Sequence, residues 1–114
     1  MKKYALFIGR WQNFHEGHRW LIDQQYNKGK NIWIAIRDVD RDENNPKSAQ
    51  EVLLELQRTL IDYLHSGKLF ISVIPDIESV NYGRNVGYDV IYHEPPTEIG
   101  EISGTKIRES NGQS

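Results

Sequence analysis

The sequence contains no cysteine in its 114 residues. Without thiols the chain can form neither disulfides nor thiolate metal sites, a composition typical of proteins in a reducing compartment. It also has no block of like charge. Its 14 basic and 16 acidic residues are spread along the chain and give a net charge of −2. This even distribution gives no indication of a surface for nucleic acid or for a membrane.

No apolar run approaches the roughly 18 residues that a membrane span needs. The first apolar run, residues 4–8, follows two lysines as the core of a signal peptide would, but Arg10 ends it early and a strand is favoured. The sequence therefore predicts a soluble, cytoplasmic protein. Its length predicts a single domain over residues 1–110, followed by a flexible tail over residues 111–114.

Strand-like and helix-like patterns alternate along the chain. Apolar runs of strand length occupy residues 4–8, 32–36, 69–74 and 89–92. Helical patterns cover residues 17–28 and the stretch from a Ser48–Glu51 capping box to Gly67, and a short last helix is predicted over residues 105–110. The alternation predicts an α/β fold, a Rossmann-like open parallel sheet with helices on both faces.

The segment that leaves the first predicted strand reads "GRWQNFHEGH", residues 9–18. In open α/β sheets, ligands bind beyond the carboxyl ends of the strands. His15 and His18 stand where the first helix begins, and the unpaired N–H groups of a helix start favour an anion. The position and the residue types together predict a phosphate-binding site.

Other residues of this segment suit the same ligand. Gly9 and Gly17 would let a phosphate approach the backbone closely, and Arg10 adds a fixed positive charge. Trp11, Trp20 and Trp33 are predicted to pack in the core; Trp11 alone lies in the predicted site region, where stacking on a base is the alternative.

Two other interpretations of the histidines stay open. The zinc-hydrolase pattern needs histidines four apart with a glutamate between them, whereas His15 and His18 are three apart and have no third ligand nearby, so no metal site is predicted. A purely structural interpretation makes His15 a helix cap and His18 a packing residue. The acidic stretch "RDVDRDENNP" fits no EF-hand spacing and is interpreted as a solvated loop.

Three sequence elements resemble one known superfamily. "GRWQNFHEGH" closely resembles the GRFQPFHxGH signature of the HxGH nucleotidylyltransferases, especially the archaeal-type nicotinamide mononucleotide adenylyltransferases. "ISGTKIRE", residues 102–109, looks like their ISxTxxR motif, and "NPKSAQEVLLEL" resembles the NPFTxGER segment that opens their second helix. The elements occur in the family's order, so the resemblance implies a minimal version of this superfamily's Rossmann-like fold.

The resemblance implies transfer of a nucleoside monophosphate from a nucleoside triphosphate to a small phosphate-bearing acceptor, with release of pyrophosphate. An acceptor phosphate is already a nucleophile, so the protein would position the reactants and stabilise charge rather than supply a base. By this resemblance, the catalytic residues are His15, His18 and Arg108, and the nucleotide-binding residues are Gly9, Arg10, Gly17, Ser103 and Thr105.

The same resemblance implies the cofactor and the partners. Mg²⁺ would be carried by the phosphates of the nucleotide, with few protein ligands. The expected partners are the triphosphate and the acceptor, without nucleic acid or membrane, and a homo-oligomer is left open. AMP is favoured over CMP as the transferred group, because the "GRWQ" opening resembles the adenylyl-transferring members more closely.

The sequence departs from the family pattern at three places. Asn13 replaces a proline, and residues 50–52, Gln-Glu-Val, lack the arginine of the family's GER, so Lys47, Arg10 or Arg84 would have to supply that phosphate contact. The loop between the third and fourth predicted strands is short, so nicotinamide mononucleotide is not the expected acceptor. Arg84 in this loop and Asp38 after the second strand are the candidate acceptor-binding residues.

Two rival functions follow from these departures. The first is a non-catalytic nucleotide-binding or regulatory module that keeps the pocket without turnover. The second is a fragment of a class I aminoacyl-tRNA synthetase, which shares the HxGH motif; the sequence has no lysine-rich KMSKS-like loop to support it.

Overall fold

The computed structural model describes residues 1–96 and contains a parallel sheet flanked by helices. In chain order the described elements are β1 (Tyr4–Gly9), α1 (Glu16–Tyr26), β2 (Asn31–Asp38), α2 (Ala49–Thr59), α3 (Ile61–His65) and β3 (Leu69–Pro75). The strand order is β1-β2-β3, with both pairings parallel. The predicted α/β, Rossmann-like fold class is confirmed. Among residues 1–96, however, α1 and α2 both pack on one face of the sheet, so the prediction of helices on both faces is not met there.

The strand register brings the carboxyl ends of all three strands to one edge. Gly9 of β1 pairs with Ile36 of β2, and Asp38 of β2 pairs with Pro75 of β3. The loops over residues 10–15 and 39–48 and the segment after residue 75 therefore start from the same edge. A ligand site of an open α/β sheet is expected at this edge.

One hydrophobic cluster holds the sheet to the helices. The central strand β2 supplies three isoleucines with no exposed surface, at alternate positions 32, 34 and 36. Helices α1 and α2 both contribute to this cluster, whose buried members include Phe7, Ile22, Val52, Leu56 and Leu69. On the opposite face of the sheet, Trp33 donates a hydrogen bond to Ser72 Oγ at 2.8 Å, and Leu6 and Phe70 are exposed.

The helix boundaries follow from local chemistry, with one difference from prediction. The Ser48–Glu51 capping box forms as expected, with hydrogen bonds of 3.0 and 3.2 Å. The single helix predicted up to Gly67 is instead divided into α2 and α3 at Leu60, whose backbone leaves the helical region at φ −109° and ψ 29°. This turn keeps the Leu60 side chain fully buried, while α3 itself contains no buried residue.

The fourth predicted strand, over residues 89–92, is wrong. Residues 76–96 contain neither helix nor strand, and Val90, Ile91 and Tyr92 are exposed. An apolar run becomes a strand only with a hydrogen-bonded neighbour and a surface to pack on, and this segment has neither among the described residues. The predicted last helix (105–110) and the tail (111–114) lie outside the described residues. No helix in residues 1–96 is long and apolar enough to cross a membrane.

The core cluster predicts a strong contrast between two leucines of α2. Leu56 has no exposed surface, whereas Leu54 is 59 % exposed. Leu56→Ala should lower the free energy of unfolding by about 2–5 kcal/mol, because it removes buried methyl groups and leaves a cavity. Leu54→Ala should change it by only about 0.5 kcal/mol. Urea denaturation measures both, and equal losses would mean that α2 does not pack as described.

Candidate active site

The loop from β1 to α1 is anchored by a buried tryptophan. Trp11 has a left-handed backbone with φ 55°, a conformation that costs a non-glycine residue about 1–2 kcal/mol. Its indole N–H donates to the carbonyl oxygen of Ala35 in β2 at 3.1 Å, and its side chain is almost fully buried. The predicted packing role of Trp11 is therefore confirmed, and the residue is not available to stack on a base.

Two further contacts join this loop to the loop before α2. The Gln12 amide donates to the Lys47 carbonyl oxygen and accepts from the Lys47 N–H, both at 2.9 Å. Arg10 Nη1 donates to Asn45 Oδ1 at 2.9 Å, and Asp42 Oδ1 accepts from Asn45 Nδ2 at 3.0 Å. Because Arg10, Gln12 and Asn45 are all buried, these bonds hold the two loops together as one unit.

The two histidines use the same ring nitrogen to cap α1. His15 Nδ1 accepts the N–H of Gly17 at 3.0 Å, and His18 Nδ1 accepts the N–H of His15 at 3.2 Å. The rings stack with their centroids 4.0 Å apart. A neutral imidazole that accepts at Nδ1 carries its hydrogen on Nε2, so both rings act as Nε2–H donors.

The His18 ring is buried between aromatic neighbours. It is 3 % exposed, and its centroid lies 5.1 Å from that of Trp11 and 5.5 Å from that of Phe14. Burial, and secondarily the nearby His15, lowers the pKa of His18 from 6.5 to about 3. The ring is therefore neutral near physiological pH and donates a hydrogen bond without carrying a charge.

One atom distinguishes a binding role from a structural one. His18 Nε2 is buried and has no hydrogen-bond partner among the described residues. Capping and packing account for the Nδ1 contacts, but a buried donor without an acceptor costs about 1–3 kcal/mol. The structural interpretation leaves this atom unexplained, whereas an oxygen-rich ligand at the start of α1 would satisfy it.

The structure brings together five of the predicted site residues at one edge of the sheet. Gly9 ends β1, Arg10 follows it, and His15, Gly17 and His18 form the start of α1. Among the described residues, we find no group of three or more histidine, cysteine, aspartate or glutamate side chains that could hold a metal ion. Ser103, Thr105 and Arg108 lie outside the described residues, so their predicted roles stay predictions.

The candidate acceptor residues are placed differently. Asp38 ends β2 at the same edge and is exposed. Arg84 is exposed in the irregular segment after β3 and makes no hydrogen bond or ion pair with the residues that the structure describes. Lys47, an expected substitute for the missing arginine, forms an ion pair with Glu55 of α2.

Sequence reasoning missed Arg37, which lies at the carboxyl end of β2. Arg37 Nε donates to Asp76 Oδ1 at 2.8 Å, and the pair joins the end of β2 to the segment after β3. The signal was available, because a charged residue at the end of an apolar strand run lies at the ligand-binding edge of such a sheet.

The buried neutral state of His18 predicts a pH dependence of stability. In the unfolded chain the pKa of His18 returns to about 6.5. Between pH 6.5 and pH 3 the His18 ring therefore binds a proton in the unfolded state but not in the folded state. Stability should therefore fall as the pH drops through this window, by at most about 1.4 kcal/mol per pH unit from this group. Urea unfolding measured across the window should show a shallower slope for His18→Gln than for the wild type. His65→Gln, at an exposed position of α3, serves as the control, and an unchanged slope in His18→Gln would contradict the buried neutral ring.

The chain is similar to one curated protein of known activity. It is 30 % identical to a nicotinamide-nucleotide adenylyltransferase of Methanococcus aeolicus over 114 aligned positions, which cover 91 % of this chain and 65 % of the relative. The chain thus spans slightly less than two thirds of that protein's length. No protein-family model and no solved structure matched the chain.

Proposed function

We propose that this chain is a nucleotidylyltransferase that transfers AMP from ATP to a small phosphate-bearing acceptor and releases pyrophosphate. The observation that carries the proposal is the buried His18 Nε2 atom, a hydrogen-bond donor without a partner among the described residues, at the start of α1. A phosphate oxygen is the acceptor that suits this position, because the helix start also favours negative charge. The similarity to an adenylyltransferase gives independent support.

In this proposal the α- and β-phosphates of ATP lie over the start of α1, within reach of His15 and His18. A phosphate oxygen of the acceptor attacks the α-phosphorus and forms the new P–O bond. The bond from the α-phosphorus to the bridging oxygen breaks, and its electron pair leaves with pyrophosphate. No proton needs to be removed from the acceptor, so the absence of a general base among the candidate site residues is no obstacle.

The two imidazoles would stabilise the charge that develops during transfer. Their Nδ1 atoms are held by backbone N–H groups, so the rings cannot turn away as the leaving group gains charge. Donors fixed in advance in a site shielded from water are worth more than the same donors in water. The family motif would add Ser103, Thr105 and Arg108 at the β- and γ-phosphates.

Mg²⁺ enters this proposal with the nucleotide. At the start of α1 the described groups are the imidazole N–H donors of His15 and His18 and the exposed carboxylate of Glu16, of which only Glu16 could contact a cation. The donor set therefore fits a metal ion held by phosphate oxygens, where it would neutralise charge on the leaving pyrophosphate.

A regulatory module that binds nucleotide without turnover is the second candidate. It is favoured by the missing arginine at residues 50–52 and by the ion pair that engages Lys47 with Glu55, since both remove a cation from the phosphate site. A screen for pyrophosphate release with MgATP and a panel of phosphorylated small molecules separates the two. Binding of MgATP without release for any acceptor would favour the module.

Two substitutions of His18 test the proposal more sharply. Asparagine can replace Nδ1 as acceptor for the His15 N–H but has no donor at the Nε2 position, whereas glutamine can place an N–H near Nε2. His18→Asn should lower the turnover rate by about 10²–10³ with little loss of MgATP affinity, as expected for a donor that acts mainly in the transition state. His18→Gln should retain more of the rate. Equal losses of rate and affinity, or a slower glutamine variant, would contradict this role for His18.

A further inference from the structure

We propose that Arg37, beside Arg10, binds the phosphate of the acceptor at the carboxyl end of the central strand β2. The inference rests on the proposed function, because it locates the second substrate of that reaction. It assigns the phosphate contact to a residue at the end of a buried strand instead of Arg84 in the irregular segment.

The sheet register places the two arginines side by side. Gly9 of β1 pairs with Ile36 of β2, so the next residues, Arg10 just after β1 and Arg37 within β2, follow at the same level. Arg37 in turn pairs with Ile74 of β3, so its backbone is held within the β2–β3 ladder. The backbones of both arginines thus lie at the edge of the sheet where the loop to the histidines also begins.

The positive charge of Arg37 is close enough to Arg10 to act on its pKa. Burial lowers the pKa of Arg10, and the positive charge of Arg37 lowers it further, while Asp42 and Asp76 have the smaller, opposite effect. Neighbouring like charges in a partly buried position repel each other, and such arrangements cluster at functional sites. A bound dianionic phosphate would relieve this repulsion.

Arg37 is held in place by two hydrogen bonds and has further N–H donors available for a ligand. Its Nε donates to Asp76 Oδ1 at 2.8 Å and its Nη2 donates to the Ile77 carbonyl oxygen at 3.5 Å. A guanidinium has five N–H donors in a fixed plane, so Nη1 and the second Nη2 hydrogen can contact a phosphate. The Arg37 side chain is 22 % exposed and that of Asp76 is 48 % exposed, so an anion from solvent can reach the pair.

The alternative cations are less suited to this role. Arg84 is exposed on a segment without regular structure, so it would lose side-chain and backbone freedom on binding. Lys47 is engaged by Glu55. Arg37 is already oriented by Asp76 and by the strand that carries it, so less conformational entropy is lost when it binds.

The test measures binding of inorganic phosphate to the full chain saturated with a non-hydrolysable MgATP analogue, by NMR titration. The analogue fills the proposed nucleotide site, so phosphate reports on a second one. Arg37→Gln should weaken phosphate binding by about tenfold or more, the scale of one charge-assisted contact. Asp76→Asn should strengthen it, because a competing carboxylate is removed. Arg84→Gln and Arg58→Gln, the latter at an exposed position of α2, should leave it nearly unchanged.

Each contrary outcome has a distinct meaning. The subsite would be overturned if Arg84→Gln lost phosphate binding and Arg37→Gln did not. Equal losses in Arg37→Gln and Arg58→Gln would also overturn it. Weaker binding of the MgATP analogue by Arg37→Gln, with phosphate binding intact, would assign Arg37 to the triphosphate and also overturn it. If the wild type binds no analogue, the proposed function fails, whereas phosphate titrated into the chain alone still tests Arg37. The opposite sign expected for Asp76→Asn separates binding from misfolding.

Discussion

The candidate site depends on the hydrogen bond from the backbone N–H of His15 to Nδ1 of His18. This bond starts α1, and it also determines which nitrogen of the buried ring carries the hydrogen. Since Trp11 and Phe14 prevent the ring from turning, its Nε2–H points away from its capping partner and lacks an acceptor among the described residues. Helix capping and ligand binding are therefore not alternatives here, because the cap orients the donor.

The surrounding loops keep that donor in position. The Gln12 amide pairs with both backbone groups of Lys47, and Arg10 is held by Asn45, so the loop with the histidines cannot move independently of the loop before α2. The strained Trp11 backbone is retained because the indole is buried against β2. Such rigidity suits a reaction in which the protein orients phosphates and stabilises charge without a covalent step of its own.

Periodicity and motif spacing predicted the elements with strong local signals. Strands β1, β2 and β3, the Ser48 cap and the helix start at His15 all follow from patterns within a few residues. The break at Leu60 and the absence of a strand over residues 89–92 depend on distant packing, which no local pattern contains. The pairing of Arg37 with Asp76 was missed for the same reason, since the two residues are 39 positions apart in sequence.

The most direct test of the account is ¹⁵N NMR of the His18 side chain, recorded near neutral pH with and without MgATP. In the free protein the ring should be neutral with its hydrogen on Nε2, because Nδ1 accepts from His15 and burial lowers the pKa of His18 to about 3. On addition of MgATP, the Nε2–H resonance should move downfield as it gains a phosphate acceptor, while Nδ1 stays an acceptor. A charged ring, a hydrogen on Nδ1, or a His18 signal unchanged at saturating MgATP would contradict the account.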